Sequence, residues 1–204
     1  MQQPARLNYK VYQGSTFKEI YRWESQTKVY VPIQLISKSA PCVITTQNNH
    51  QIPEGWRVRV VGAGGMKEIN TVSENDYYLA TSTTLNQVTL NKVNSLNYTT
   101  YTTGGVIEYN DWVALTDYKA RMQIRPELAS TSVIYEATSV SGQIVIDDLI
   151  YKTITLTIPA QDTRDFNFDT AVYSLELYKD TGPSSGEVIT FLQGNLTLVR
   201  EVTR

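Results

Sequence analysis

An alternation of apolar and polar residues organises the C-terminal part of the chain. From Tyr173 to Leu177 every second residue is apolar, which is the pattern of a strand with one buried face. A second strand-like run, 187–203, follows the Gly/Pro/Ser-rich segment 181–186, so the two runs predict an antiparallel hairpin. Gly194 interrupts the second run and predicts a bulge or a bend at that position.

The same alternation recurs on both sides of a different middle segment. It is clearest in Tyr118–Arg125 and Tyr151–Ile158, where apolar residues alternate with basic residues or threonines. The strands outside the middle segment are separated by closely spaced turns, as in a β-sandwich. We therefore predict one sandwich built from residues 1–38 and 109–204. The other strands predicted in it are Leu7–Tyr12, Thr16–Trp23, Val29–Ile36, Ser132–Ala137 and Gln143–Ile146.

Residues 39–108 form the middle segment, and their pattern is different. Short β-like runs alternate with turn sequences such as Gly62–Gly65 and Thr103–Gly105. Turns at this density predict a small β-barrel with tight connections. A surface loop of a sandwich can accept such an insertion at little entropic cost. The strands predicted in the insert are Cys42–Thr46, Arg57–Val61, Ile69–Val72, Tyr77–Ala80, Gln87–Leu90 and Val106–Tyr109.

The composition favours an all-β fold and narrows the classes of function. The 204 residues include 14 tyrosines and many β-branched residues, which favour strands. Proteins that bind duplex DNA usually carry a strongly positive surface, whereas this chain has a net charge of −2. We therefore expect no nucleic-acid partner. One cysteine, Cys42, cannot form an internal disulfide. We see no signal segment and no membrane-spanning apolar run, so we expect synthesis in a cytoplasm and no membrane partner.

The segment Val58–Gly65 reads VRVVGAGG and places glycines after a strand, as a dinucleotide site does. Such a site also needs a third glycine and a helix whose N-terminus meets the pyrophosphate. Lys67 occupies the position of the third glycine, and Lys67–Val72 leads into no sustained helical pattern. We interpret the glycines as a tight barrel turn with positive φ, and we predict no cofactor.

The remaining candidates for chemistry favour structural roles. His50 is the only histidine, and with Cys42 it cannot supply the three or four ligands of a zinc site. We expect His50 to make a local hydrogen bond in a loop and Cys42 to be a small buried residue. Asp162, Asp165 and Asp169 lack the pattern of a calcium loop, and Asp162 fits better as the N-cap of a single helical turn. The sequence therefore predicts no catalytic and no metal-binding residue.

Two groups of side chains are candidates for contact with partners. The polar face of Tyr118–Arg125 carries a basic stripe, which is either a solvated sheet face or a docking face for an acidic partner surface. Tyrosine and tryptophan are enriched at interfaces because a rigid ring buries area at low entropic cost. The candidates are Lys119, Arg121 and Arg125 in the stripe, and Tyr77, Tyr78, Tyr98, Tyr101, Tyr109 and Trp112 among the aromatic residues.

Several segments of the insert match a known module. They are PCVIT at 41–45, His50, PEGWRV at 53–58, VVG at 60–62, GMKEIN at 65–70, VTLN at 88–91 and YTTGG at 101–105. On these residues the insert resembles a β-barrel module of phage proteins that is related to the first catalytic-cysteine half-domain of ubiquitin-activating enzymes. The module does not carry the catalytic cysteine of those enzymes, so the resemblance gives Cys42 no nucleophilic role.

The flanking segments match a second family. They are QGSTF at 13–17, YKARMQIR at 118–125, YSLEL at 173–177, LQG at 192–194 and VREVT at 199–203. They resemble immunoglobulin-like domains of tailed-phage structural proteins, including the N-terminal domain type of baseplate upper proteins. The resemblance implies a discontinuous immunoglobulin-like β-sandwich with an inserted small β-barrel. Baseplate relatives continue outward beyond this domain, whereas this sequence stops at Arg204, so we expect a compact component.

The expected function is therefore non-enzymatic assembly in the virion. The chain would form symmetric copies with other virion proteins, as an adaptor, collar or baseplate component of the tail or neck. A decoration protein of the phage head is one alternative, and the copy number per virion distinguishes the two. A carbohydrate-binding module that contacts host glycans is a second alternative, with Trp56 and Trp112 as its candidate aromatic rings.

Overall fold

The computed structural model describes residues 3–179 and 186–202. Strands dominate it, and the described helices are a 3-10 helix at Lys67–Ile69 and α1 at Ala160–Arg164, so the predicted all-β class is confirmed. The strands are β1 (Ala5–Arg6), β2 (Tyr9–Tyr12), β3 (Phe17–Arg22), β4 (Glu24–Ile36), β5 (Cys42–Thr46), β6 (Trp56–Val61), β7 (Tyr78–Thr84), β8 (Gln87–Leu90), β9 (Val106–Trp112), β10 (Tyr118–Arg125), β11 (Tyr135–Thr138), β12 (Ile144–Asp147), β13 (Thr153–Ile158), β14 (Thr170–Lys179) and β15 (Val188–Val199).

The chain separates into two compact units. One unit comprises residues 1–22, 115–148 and 153–204, and the other comprises residues 23–114 and 149–152. The first unit is a discontinuous β-sandwich, and the second is a closed six-stranded barrel. The predicted fold class, a sandwich with an inserted barrel, is therefore confirmed.

The sandwich unit contains two sheets. The first has the order β15–β14–β10–β11, and β1 and β2 both pair in parallel with the free side of β15. The second is the antiparallel sheet β12–β13–β3. Met122, Leu175 and Leu192 are neighbours across three strands of the first sheet and are almost fully buried. Leu156 of the second sheet is also buried, so each sheet contributes one apolar face to the core.

The closing hairpin pairs β14 with β15, as the alternating residues predict. Residues 181–185 of the predicted turn lie outside the described residues. The register shift in β15 lies at Phe191, so the predicted bulge at Gly194 is wrong. Gly194 pairs regularly with Tyr173, and a Cβ atom there would collide with the carbonyl oxygen of Leu7. The glycine is needed because the N-terminal segment passes close to the backbone of β15.

The barrel unit closes in the strand order β4–β5–β8–β7–β6–β9. Trp56 lies in its core with 0% of its surface exposed, and the indole Nε1 donates a 2.7 Å hydrogen bond to the carbonyl oxygen of Asn110. Burying a large ring with its polar atom satisfied is strongly stabilising. The Trp56 side chain therefore links the centre of the core to the wall strand β9.

The barrel begins earlier in the chain than the predicted insert at 39–108. Strand β4, which the sequence analysis assigned to the sandwich segment 1–38, pairs with β5 and β9 inside the barrel. Strand β9 also continues to Trp112. The alternation in Val29–Ile36 correctly predicts a strand. It cannot identify the sheet, because strand pairing depends on residues distant in sequence.

Two local predictions are also corrected. The predicted strand Ile69–Val72 is wrong: the 3-10 helix Lys67–Ile69 ends there, and residues 70–72 belong to no strand. Asp162 is not an N-cap: α1 begins after Pro159, and no side chain caps it. Because the helix begins at Ala160, Asp162 lies inside its first turn and not at the flanking N-cap position. No helix among the described residues is long and apolar enough to cross a membrane.

Candidate interaction surfaces

Tyr109 is a core residue of the barrel. It is 4% exposed, and its hydroxyl donates a 3.0 Å hydrogen bond to the carbonyl oxygen of His50. Burial raises the pKa of Tyr109 to about 12. Strand β9 directs this ring inward, so the prediction that Tyr109 belongs to an exposed contact surface is wrong.

Four other aromatic candidates are half-buried against the barrel core: Tyr78, Tyr98, Tyr101 and Trp112. The Tyr78 hydroxyl donates to the carbonyl oxygen of Ile69 at 3.0 Å, and the Tyr101 hydroxyl donates to that of Gly104 at 2.9 Å. These rings hold the connections of the barrel in place. Only the exposed part of each ring can meet a partner.

Tyr77 is the most exposed of the aromatic candidates, with 50% of its surface accessible. The Arg57 guanidinium lies 5.2 Å from the centre of its ring, which is a cation–π geometry. Arg57 also donates two hydrogen bonds, of 2.8 and 2.7 Å, to the Glu24 carboxylate. The aromatic ring and this bidentate ion pair form one wall of an open cleft on the barrel.

Glu108 lines the same cleft. Its side chain is 11% exposed, and Oε1 accepts hydrogen bonds from Lys28 Nζ at 2.6 Å and from Arg59 at 3.1 Å. The hydrogen bond from Lys28, together with the charges of Lys28 and Arg59, lowers the pKa of Glu108. The three residues come from β4, β6 and β9, so the cluster clamps neighbouring barrel strands from outside.

This charged cluster is not among the residues that the sequence pattern predicts as a site. A signal was present, because Arg57 and Arg59 occupy alternate positions of β6 and therefore share one face. Their carboxylate partners lie on strands distant in sequence, and the pairing that aligns Arg59 with Glu108 could not be inferred from the pattern alone.

The basic stripe lies on the outer face of the first sandwich sheet, as the alternation predicts. Arg121 forms a 2.8 Å ion pair with Glu176, its direct neighbour on β14. Arg125 donates to the carbonyl oxygen of Ser130 at 2.7 Å and to Gln123 Oε1 at 2.8 Å. Lys119 is half-buried at the other end of the face. The stripe is therefore part of a mixed polar surface that also contains carboxylate and amide groups.

Both His50, in the loop after β5, and Cys42, in the barrel core, are buried. His50 is 3% exposed, with Nδ1 accepting from the Ile52 N–H at 2.9 Å and Nε2 within 2.9 Å of the Thr84 carbonyl oxygen. This arrangement requires the proton on Nε2, and it uses both ring nitrogens structurally. Cys42 is fully buried, and burial raises the pKa of its thiol. Both residues thus have packing and hydrogen-bonding roles.

The glycine-rich turn and the motif residues around it form one structural unit. Gly62 and Gly65 have φ values of +74° and +78°, as predicted for a tight turn. The Asn70 side chain accepts from the Ala63 N–H at 2.9 Å and donates to its carbonyl oxygen at 3.0 Å. A Cβ atom at Gly105 would lie 2.7 Å from the Ala63 nitrogen, so this glycine permits close backbone contact. The spacing of these residues therefore serves the barrel turn.

The remaining candidate groups do not assemble as binding centres in the described chain. Asp162 accepts a 2.9 Å hydrogen bond from the Tyr135 hydroxyl, and Asp169 pairs with Arg200 at 3.2 Å. Among residues 3–179 and 186–202, no group of three or more His, Cys, Asp or Glu side chains could hold a metal ion. Trp56 is buried, so it cannot form the exposed aromatic surface expected for glycan binding. The Trp112 ring is covered by Lys152, whose Nζ lies 5.5 Å from the ring centre.

Comparison with known proteins adds no assignment to these surfaces. No protein-family model matches the sequence, and no curated protein matches it significantly.

Proposed function

We propose that this chain is a non-enzymatic structural protein of a tailed-phage virion. It acts as an adaptor, collar or baseplate-type component that assembles in symmetric copies with other tail or neck proteins. Its mechanism is assembly: the sandwich is the mount, and the barrel and its loops provide contacts.

The observation that supports this proposal most is the architecture. The polypeptide leaves the sandwich after β3, forms the closed barrel with β4 to β9, and returns to the sandwich at β10. A sandwich interrupted by a barrel is the arrangement implied by the resemblance to phage structural domains. The matching residues also have structural roles, since PCVIT is largely strand β5 and the Gly104–Gly105 pair packs against the Gly62–Ala63 turn.

The accessible groups of both units suit contacts between folded proteins. On the barrel, Tyr77 offers a rigid ring beside the paired charges of Arg57 and Glu24. On the sandwich, β11 ends one sheet and can accept an added strand from a neighbour. Surface charges at such contacts fix register and association rate more than affinity. Closed rotational symmetry would repeat each contact around the particle axis.

The proposal is tested on virions purified from the phage or prophage that encodes this chain. Quantitative mass spectrometry should find the chain in the particle at the low copy number of a ring in the tail or neck. A high copy number would favour the head-decoration alternative. Cryo-EM of the same particles should then show the sandwich and the barrel in symmetric density. Absence of the chain from purified virions would refute both virion roles.

A further inference from the structure

The outer face of the first sandwich sheet contains a groove that the proposed function does not use. It has a volume of about 320 Å³ and crosses β10, β14 and β15. Grooves of this size accommodate small organic ligands or a few units of a polymer. We call it the polar groove, and its floor consists of residues that point away from the sandwich core: Arg121, Gln123, Arg125, Ser174, Glu176 and Gln193.

A row of hydrogen-bonding side chains runs across the floor. The strand register aligns Glu136, Gln123, Ser174 and Gln193 on four consecutive strands. Neighbouring strands lie about 4.8 Å apart, so the backbone positions of the row recur at that spacing. At one end of the row the Gln123 amide donates to the Glu136 carboxylate, and the row as a whole places donors and acceptors of four strands on one face.

The chemistry of the groove is mixed in donors and acceptors. Amides and hydroxyls supply both, guanidinium groups supply donors, and carboxylates supply acceptors. The Arg121 charge is balanced by Glu176 at 2.8 Å, so the middle of the groove is not simply a site for anions. A ligand with many hydroxyl groups matches this set best, because each hydroxyl both donates and accepts.

The walls add apolar contact and rigidity. Leu128 is 88% exposed beside the groove, and the half-buried Val172 also lines it. Arg125 ties the loop after β10 to the sheet through the Ser130 carbonyl oxygen at 2.7 Å and through Gln123 at 2.8 Å. Side chains that are already held in place lose less entropy when a ligand binds. Apolar patches beside planar polar groups suit a sugar, which has both C–H faces and hydroxyl edges.

We propose that the polar groove binds an oligosaccharide, with Gln123, Ser174 and Gln193 contacting its hydroxyl groups. This assignment is independent of the virion role. It also differs from the aromatic platform expected from the sequence, because the groove uses a polar sheet face on the sandwich unit.

The test begins with the purified full-length chain on an array of neutral and carboxylated oligosaccharides. The best array ligand is then titrated calorimetrically into the unaltered protein and into three variants: Gln123→Ala, Gln193→Ala and the double variant. Each amide contributes hydrogen bonds of modest net strength, so the double variant should bind about tenfold more weakly. The matched control is Gln47→Ala, an exposed glutamine of the barrel, which should bind as the unaltered protein does.

Amide chemical shifts of the unaltered protein provide a readout that does not depend on any variant. Addition of the same oligosaccharide should perturb residues of β10, β14 and β15. Far-UV circular dichroism and thermal melting check that each variant is folded. The proposal is overturned if no array oligosaccharide binds, if the double variant binds normally, or if the perturbed amides lie elsewhere.

Discussion

Each unit of the molecule carries an ion-pair cluster on its outer surface, and the two clusters differ in depth. On the barrel, Glu108 is 11% exposed and accepts from both Lys28 and Arg59. On the sandwich, the Arg121 side chain is 47% exposed. In the part of the chain that the structure describes, its one ion pair is with Glu176. The first cluster is shielded by neighbouring side chains, whereas the second faces solvent.

This difference separates structural charges from charges available to a partner. A shielded carboxylate depends on its two cations, because losing them would leave a poorly solvated charge. A solvent-facing pair contributes little to stability, because water and salt screen it. We therefore expect the barrel cluster to matter for folding and the sandwich cluster to matter for recognition.

The largest effect is expected inside the barrel, at Trp56. Trp56→Ala removes a fully buried ring and leaves the Asn110 carbonyl oxygen without its indole donor. The free energy of unfolding should fall by about 3–5 kcal/mol. Chemical denaturation followed by far-UV circular dichroism measures it. The control is Tyr77→Ala, at an exposed ring of the barrel, which should lower the free energy of unfolding by about 1 kcal/mol or less. Equal losses in the two variants would contradict the assignment of Trp56 to the core.

An intermediate effect is expected at Glu108. Glu108→Gln retains the shape but removes the charge between Lys28 and Arg59, and it should lower the free energy of unfolding by about 1–3 kcal/mol at pH 7. The pKa of Glu108 is lowered in the folded protein, so its ionised form stabilises the fold above the ordinary pKa of about 4.3. That contribution is lost as the pH falls through the lowered folded pKa.

The pH dependence gives the control for Glu108→Gln. Denaturation of both proteins between pH 7 and pH 2 should show a stability difference that is constant above about pH 5 and shrinks in acid. A difference that does not change over this range would show that the carboxylate charge is not what stabilises the barrel.

The smallest effect on stability is expected at Arg121. Arg121→Ala breaks an exposed ion pair, and the free energy of unfolding should change by about 0.5 kcal/mol or less at physiological salt. Measuring the variant beside Glu108→Gln under the same conditions compares the two clusters directly. A loss at Arg121 as large as that at Glu108 would remove the distinction between structural and available charges.

Local patterns predicted the strands better than they predicted strand pairing. The bounds of β5, β8 and β10 match the sequence prediction residue for residue, because alternation and flanking turns are local signals. The assignment of β4 to the sandwich failed because its partners β5 and β9 were not identifiable from its own residues. Register is a nonlocal property and needs the folded neighbours.

For the candidate surfaces, too, the sequence predicted features within one strand better than features that join several strands. The outward direction of Arg121 and Arg125 followed from the alternation in β10. The burial of Tyr109 was missed, although Ile107 and Tyr109 occupy alternate positions of β9 and therefore share the face that points into the core. The row that joins Gln123 to Ser174 and Gln193 was also invisible, because those residues lie far apart in the sequence and meet only through the sheet.

The parallel pairing of β1 and β2 with β15 has a mechanical consequence. In this arrangement Tyr9 lies beside Leu196, and Tyr12 lies beside Val199. Tension that pulls β2 toward its N-terminal side and β15 toward its C-terminal side slides the strands along each other. The load is then shared by the evenly spaced bonds of the parallel ladder, which must yield together. The sandwich can thus carry a pulling force through this seam without being peeled apart one bond at a time.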